Sequence, residues 1–523
     1  MGLEDGVKVI SGQEAAALVP DGATLAVSGG GYRVVPEALI EAVADRFASR
    51  GSPRGLTVVA IAMIERGRGG KGGADSGLNR LAREGLMARV ITSSFSRASS
   101  NELNVIIGSN GAAAYNLPMG SLVQLLRATA AGRKGFATPV GIGTFVDPRQ
   151  GGGKVNAAAR EDLCRLTELE GEEMIYYPRL PIDVALIKAS AADQRGNLYY
   201  DREAFDHGTI ELAMAAFQSG GKVIAEVNRI TEVGEIHPRM GRIPGRLVHA
   251  VVVQPDAWED EQDPILTGAT RRALPAPSGR NLPRDFIARL AVDRLPPDAM
   301  VNLGAGLPMY EVPEVGRAMG RSDLYFTVEQ GPMGGWPQVG GVSRNPEIIL
   351  DQNEVFQFYE GGGPDVSILS FGEVDRFGNI NVSRFSGMLP GCGGFVNIVH
   401  GVRDLMFCGT LTTGGLEETL DPSGLTITRE GRIKRFVDDV EQITFNARMG
   451  IAGGKRATIV TDRGIFTVTP EGLVLREIVP GVDLQRDVVD QIPFAFEVAP
   501  DLKPVASHLL VPPPAAQTPE AQA

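Results

Sequence analysis

Two stretches of this chain, 182 residues apart, repeat each other without a gap. Asp183-Val-Ala-Leu-Ile-Lys-Ala-Ser-Ala-Ala-Asp193-Gln-Arg-Gly196-Asn197-Leu198 lies over Asp365-Val-Ser-Ile-Leu-Ser-Phe-Gly-Glu-Val-Asp375-Arg-Phe-Gly378-Asn379-Ile380. Each copy reads as a buried strand, a turn made by Asp-x-x-Gly-Asn, and a second strand. A weaker echo pairs Leu25-Ala-Val-Ser-Gly29-Gly-Gly31 with Val301-Asn-Leu-Gly304-Ala-Gly306, at an offset of about 275. Each of these is a strand running into glycines, then a proline and a helical pattern. Because the offsets differ, the first half must carry roughly 93 extra residues between its two echoes.

A duplication of this kind restricts the chain to two related α/β domains. Apolar runs such as Leu56-Thr-Val-Val-Ala-Ile, Lys222-Val-Ile-Ala-Glu-Val and Leu247-Val-His-Ala-Val-Val-Val read as strands. They alternate with the amphipathic patterns Pro36–Phe47 and Arg284–Val292, which read as helices. Buried strands alternating with helices predict open α/β domains with mainly parallel sheets. The expected boundaries are a first domain over 1–275, a Pro-rich polar linker over 276–284, a second domain over 285–511 and a disordered low-complexity tail over 512–523.

In parallel α/β folds ligands sit beyond the carboxyl ends of strands. Val328-Glu329-Gln330-Gly331-Pro332-Met333-Gly334-Gly335 follows the strand-like run Asp323–Val328 and places one carboxylate, Glu329, just past a strand end. An acid there is either a solvated loop charge or a chemical group. If chemical, an ionised Glu, with a usual pKa of about 4.3, is a base or a nucleophile. Gly29–Gly31 and Gly304-Ala-Gly306 suggest nucleotide-binding turns, but neither completes G-x-G-x-x-G. Each is a tight strand-to-helix turn or a loop near an anionic ligand. Gly391-Cys392-Gly393-Gly394 precedes a run, Phe395-Val-Asn-Ile-Val, that reads as a strand. Amides in such a turn can stabilise an oxyanion. Cys392 reads as a small buried residue rather than a nucleophile. The basic stretch Arg66–Lys71, with Arg80 and Arg83, is a solvated loop or a contact for ligand phosphates.

Composition removes other classes. A net charge of −12 argues against a nucleic-acid binder. No run of eighteen apolar residues predicts a membrane span, and the first residues lack a signal-peptide core. Cys164, Cys392 and Cys408 form neither a disulfide framework nor a zinc site, which points to a reducing, cytoplasmic setting. The five histidines, at 207, 237, 249, 400 and 508, show no metal spacing.

Taken together, Tyr115-Asn-Leu-Pro118-Met-Gly120, Gly141-Ile-Gly-Thr-Phe-Val-Asp-Pro148-Arg, Gly151-Gly-Gly-Lys154, Val328–Gly335, Phe358-Tyr-Glu-Gly-Gly-Gly363, Gly378-Asn-Ile-Asn-Val-Ser383, Gly391–Phe395 and Pro480-Gly-Val-Asp-Leu-Gln-Arg-Asp487 carry a resemblance. The chain resembles the family I coenzyme A transferases of the fused-subunit acetate/propionate (acyl-CoA:acetate/3-ketoacid) type, up to about residue 500. The resemblance implies two homologous CoA-transferase domains, alpha-subunit-like and then beta-subunit-like. It implies coenzyme A as a substrate moiety, acyl-CoA and a carboxylic acid as substrates, no permanently bound cofactor or metal, and a homodimer or homotetramer. The family's catalytic glutamate falls on Glu329, which would form a glutamyl-CoA thioester.

Further roles are expected around that glutamate. Gly391, Gly393 and Gly394 are candidates for the oxyanion and CoA-binding loop. Gly30, Gly31, Met119, Gly120, Gly334, Gly335 and Trp336 are candidates for the substrate pocket, and Gly304, Gly306, Asn379 and Asn381 for CoA binding. One departure stands out. Where the family usually has Pro-Gln-Gly, with the Gln as an oxyanion donor, this chain has Pro118-Met119-Gly120, and Met donates no hydrogen bond. Met119 and Trp336 together predict an acyl group bulkier than acetate. Two alternatives stay open: a CoA-thioester or C–C hydrolase with Glu329 as base, and a ligand-sensing paralogue without catalysis. No basic helix-turn-helix flanks the domains to support a DNA-binding sensor.

Overall fold

The structure is a computed structural model. It describes residues 6–30, 33–64, 76–95, 101–255, 263–274, 280–338 and 340–512. The basic stretch Arg66–Lys71, residues 276–279 of the expected linker and nearly all of the expected tail lie outside the described residues.

The chain forms two compact units. The first comprises Met1–Thr270 together with Ile349–Phe356 and Met388–Asn397, and the second comprises the remainder. The division after Thr270 precedes the expected linker, and a helix already begins at Pro283.

Seven parallel strands form the centre of the first unit: β1 (Thr24–Val27), β2 (Leu56–Ala60), β3 (Met87–Thr92), β4 (Ala113–Asn116), β5 (Val184–Asp193), β6 (Lys222–Thr231) and β7 (Ala250–Val253). Their order is β7-β6-β5-β1-β2-β3-β4. All ten residues of β5 are buried, as a central parallel strand covered on both faces requires. Helix α1 (Glu37–Arg50) follows the β1 turn and stops at Gly51, whose φ of 66° suits glycine. Helices α2 (Met119–Ala130) and α3 (Thr209–Gln218) pack on each other.

Five parallel strands form the corresponding part of the second unit: β8 (Met300–Leu303), β9 (Tyr325–Thr327), β10 (Val366–Ser370), β11 (Asp404–Cys408) and β12 (Arg456–Val460), in the order β9-β8-β10-β11-β12. Antiparallel strands Gly464–Thr469 and Gly472–Ile478 extend it beyond β12.

The repeat is visible in the hydrogen-bond ladders. Leu25 pairs with Val184 in the first unit and Val301 pairs with Val366 in the second. Lys222 pairs with Val184, and Asp404 with Val366. The Asp-x-x-Gly-Asn turns also coincide. Asp193 accepts from the amides of Arg195 (2.8 Å) and Asn197 (3.0 Å) and from the Asn197 side chain (2.8 Å). Asp375 does the same with Phe377, Asn379 and the Asn379 side chain, at 2.9, 3.0 and 2.9 Å. The surplus residues of the first half, between β1 and β5, build β3, β4 and a separate antiparallel sheet of Gly135–Thr138, Glu172–Pro178 and Arg165–Leu169.

Two sequence expectations are corrected. Phe395–Val399 is not a strand but lies within a helix, Phe395–Gly401. The run is buried throughout, so its apolar character could not distinguish a period of 2 from one of 3.6. Of Leu247–Val253 only Ala250–Val253 is strand, because Gly245–Leu247 forms a 3-10 turn.

The halves differ midway along the two central strands β5 and β6 of the first unit. Lys188 and Glu226, both fully buried, pair at 3.1 Å between β5 and β6. The other Glu226 oxygen accepts from the amides of Ala38 (2.9 Å) and Leu39 (3.3 Å) in the first turn of α1. A carboxylate there satisfies amides that have no partner within the helix and meets the positive end of the dipole. At the same places in the second half stand Ser370 and Cys408, and Ser370 donates to the Ala305 carbonyl at 3.1 Å. Removing one member of a buried pair strands the other charge, at a cost of about 3–5 kcal/mol. Glu226→Leu and Lys188→Met should each lower the thermal midpoint of the first unit. The double variant should lower it by less than the sum of the two, as read by calorimetry.

Candidate active site

Glu329 occupies the tip of a tight hairpin in the second unit. β9 ends at Thr327, and Thr327 then pairs with Met333 on the antiparallel return strand. The Val328 amide donates to the Pro332 carbonyl (3.2 Å) and the Gly331 amide to the Val328 carbonyl (3.0 Å). Gly331 closes the turn with a φ of 122°. Val328 is buried and Glu329 half-buried, so the carboxylate stands at a strand end with a fixed backbone beneath it.

Its neighbour holds it. Gln330 Nε2 donates to Glu329 Oε1 at 3.2 Å. The Gln330 amide in turn packs on Gly341, where an added Cβ would lie 2.2 Å from Gln330 Cδ. Below the hairpin, the fully buried Tyr359 hydroxyl donates to Thr327 Oγ1 at 2.8 Å. Burial, with a smaller contribution from the charge of Glu329, holds the Tyr359 phenol far above its usual pKa, so it stays a neutral donor. Sequence reading missed Gln330 and Tyr359. Gln330 stands inside the glutamate motif; Tyr359 gave no signal beyond its own motif, Phe358–Gly363.

The glycines after Glu329 serve close packing. Gly334 donates its amide to Phe326 (2.8 Å), and a Cβ there would meet the Glu347 carboxyl at 2.9 Å. A Cβ on Gly335 would lie 2.2 Å from the Arg344 carbonyl oxygen. Trp336 begins a hairpin strand paired with Val342–Arg344 and lies 5.0 Å below the Arg317 guanidinium. Gly304 continues the β8 ladder with its amide on the Ile368 carbonyl, and Gly306, at φ 98°, caps the helix Leu307–Ala318. Asn379 is spent in its turn, with its side-chain oxygen on the Ala447 amide at 2.8 Å. Asn381 is likewise engaged, by Glu373, Arg384 and Ser383.

In the first unit the remaining predicted residues gather at the carboxyl edge of the sheet. Asn116, the last residue of β4, donates to the carbonyls of Thr92 (3.0 Å) and Ser93 (2.7 Å) and accepts from the Cys392 amide (2.9 Å). The Gly393 amide donates to Ser93 (2.8 Å), and the Gly393 carbonyl accepts from Met119 at the start of α2 (2.9 Å). The Gly120 amide donates to Asn397 at 3.0 Å. The amides of Cys392 and Gly393 are therefore committed to structural bonds and are not the oxyanion donors expected of Gly391–Gly394. Cys392 is buried, as expected of a small core residue. Met119 is buried too, and Gln352 Nε2 sits 3.4 Å from its sulfur. Gln352, from a segment far along the chain, gave no sequence signal.

Gly30 ends the β1 turn. The helix that follows already has a carboxylate at its first turn, that of Glu226, so this turn does not offer those amides to a ligand anion. Gly31 lies outside the described residues. Among the described residues no group of three or more His, Cys, Asp or Glu side chains could hold a metal ion, and no helix is long and apolar enough to cross a membrane.

A half-buried carboxylate on a rigid hairpin, steered by one amide, suits nucleophilic or base chemistry, and comparison with known proteins narrows the field. The sequence profile described as Coenzyme A transferase matches residues 9–254. The chain is 36% identical over 520 residues to the acetate CoA-transferase YdiF of Escherichia coli K12, covering 97% of this chain and 95% of that protein. It is also 36% identical over 517 residues to the caffeate CoA-transferase of Acetobacterium woodii, covering 96% and 97%. The crystal structure of the apo acyl-CoA transferase YdiF from E. coli O157:H7 superposes with a TM-score of 0.89 at 36% identity over 97% of both chains. A thioester complex of that enzyme with CoA superposes with a TM-score of 0.90 at 35% identity, over 98% of this chain and 97% of that one. This chain belongs to the coenzyme A transferase family.

Proposed function

We propose that the protein transfers coenzyme A from an acyl-CoA to a carboxylic acid in two half-reactions, with Glu329 as the nucleophile. The observation that carries this reading is the placement of Glu329 at the hairpin tip, oriented by Gln330. A Glu329 oxygen attacks the thioester carbonyl carbon, the C–S bond breaks, and CoA leaves as a thiolate, giving a mixed anhydride. The thiolate then attacks the glutamyl carbonyl, the anhydride C–O bond breaks, and the first acid departs as its carboxylate. A second carboxylate takes CoA from the glutamyl thioester by the reverse steps. Each step exchanges one anion for another, so no proton needs to move.

A carboxylate is a weak nucleophile, and fixed geometry makes up for it: effective molarities on the order of 10⁵ M are reached when the reacting atoms are held in place. Each tetrahedral intermediate also needs hydrogen-bond donors. Trp336, on the strand that follows the Glu329 hairpin, suits an acyl group larger than acetyl; the relatives at 36% identity include a caffeate and an acetate CoA-transferase. The thioester complex with CoA solved for the E. coli relative supports the covalent route.

Three outcomes test the proposal. Incubation with acyl-CoA followed by borohydride or hydroxylamine should modify the peptide carrying Glu329, read by mass spectrometry, and Glu329→Ala should lower kcat by about 10⁴-fold or more. A hydrolase using Glu329 as a base would instead consume acyl-CoA without an acceptor acid and leave that peptide unmodified. Gln330→Leu removes a hydrogen bond to a charged group and should lower kcat by roughly ten- to a hundredfold with little change in KM. Gly341→Ala should act in the same direction by displacing Gln330. Turnover of acetyl-, butyryl- and aromatic acyl-CoA donors should favour the larger groups, and a clear preference for acetyl-CoA would contradict that assignment.

A further inference from the structure

One row of the second unit's sheet is polar where a parallel sheet covered on both faces is normally apolar. Thr327 at the end of β9, Asn302 on β8 and Ser367 on β10 stand side by side, because Asn302 pairs in register with both of the others. All three are 0% exposed. Residues paired across neighbouring parallel strands face the same side of the sheet, so the three side chains form one row.

The first unit has the same row and fills it differently. There Ala26 on β1 pairs with Val59 on β2 and with Ala185 on β5, and all three are buried. Ala185 and Ser367 are equivalent in the repeat, 182 positions apart. The fold therefore does not need polar groups at these places. A buried hydroxyl or amide is unfavourable unless it is bonded, so a polar row in the half that carries Glu329 calls for a reason beyond packing.

The bonds of the row lead toward Glu329. Asn302 Nδ2 donates to Ser367 Oγ at 2.7 Å. At the other end the Tyr359 hydroxyl donates to Thr327 Oγ1 at 2.8 Å. Thr327 lies two residues before Glu329 and roots the hairpin through its pairing with Met333. The charge of Glu329 reaches the Tyr359 phenol and helps to keep it protonated. All four residues and Glu329 lie within the second unit. Between the two bonds stand a donor and an acceptor on neighbouring strands. The Thr327 hydroxyl accepts from Tyr359 and keeps its own hydrogen to give. Asn302 Oδ1 is buried and has no hydrogen-bond partner among the described residues.

We propose that Asn302 and Thr327 are positioning residues for Glu329. The Thr327 hydroxyl gives its hydrogen to Asn302 Oδ1, through a buried water where the side chains stop short of contact, and this closes a file of Ser367, Asn302, Thr327 and Tyr359 beneath the hairpin. The proposal rests on the reading of Glu329 as nucleophile and names what holds its hairpin from below. With its hydrogen committed to Asn302, Thr327 can only accept from Tyr359. The root of the hairpin is then tied to β8, to β10 and to the helix Gln352–Glu360. A carboxylate is a weak nucleophile and depends on such fixing, because a small displacement from the line of attack lowers the rate and leaves substrate binding alone.

The test reads the limiting single-turnover rate constant at which acyl-CoA labels Glu329, together with the acyl-CoA concentration that gives half of it. A rate constant refers to folded molecules only, so a partly unfolded variant does not distort it. Thr327→Val keeps the volume, removes the hydroxyl and matches the residue type that the first unit carries in this row. It should slow labelling about tenfold, with the half-saturating concentration changed by less than about twofold. Thr327→Ser keeps the hydroxyl and should label within about twofold of the wild type. Asn302→Leu should slow labelling at least as much as Thr327→Val, and the double variant should be no slower than Asn302→Leu, because both remove the same bond. Wild-type labelling by Thr327→Val, labelling by Thr327→Ser as slow as by Thr327→Val, or effects that multiply in the double variant each overturn the proposal. If the wild type itself is not labelled, the reading of Glu329 as nucleophile falls and this inference with it; where the wild type is labelled, the inference alone is at stake.

Discussion

The parallel pairing of each half's first strand with its repeat strand governs the rest of this structure. Leu25 on Val184 and Val301 on Val366 set the register of each sheet's central pair. Once that register is set, the carboxyl ends of the neighbouring strands fall along one edge. Glu329 stands on such an edge after β9, as do the glycine turns after β1 and β8 and Asn116 at the end of β4. Parallel strands buried on both faces leave polar groups little room elsewhere, which concentrates chemistry at strand ends.

From one fold the two halves have drawn different edges. In the first half the space above the central strands is filled by the chain itself, with Lys188 and Glu226 paired and the first turn of α1 capped. In the second half Ser370 and Cys408 stand in those places, and Glu329 stands on the neighbouring hairpin. Duplication supplied two similar scaffolds, and a few side chains distinguish one from the other: a buried ion pair in the first, a half-buried strand-end carboxylate in the second.

Much of this was legible in the sequence. The repeat gave the topology because an Asp-x-x-Gly-Asn turn has few geometric solutions, and Asp193 and Asp375 adopt the same one. Glu329 could be placed at a strand end because strand and turn signals are local. The partners that hold the site could not be read in this way. Gln352 reaches Met119 across more than two hundred residues of sequence, and Cys392 reaches Asn116 across a similar span. Such contacts depend on tertiary packing and leave no periodic trace. The helix at Phe395 was misread because burial on every side erases the periodicity that tells helix from strand.

The membership of Ile349–Phe356 and Met388–Asn397 in the first unit bears on how the chain is made. Asn116 closes on Cys392, and Gly120 on Asn397, so these bonds must wait until the ribosome has passed residue 397. A polypeptide ending near residue 270 would contain every strand of the first parallel sheet and still lack the loop that seals its carboxyl edge. The order of synthesis therefore keeps that edge unfinished until the segment bearing Glu329 has already been made.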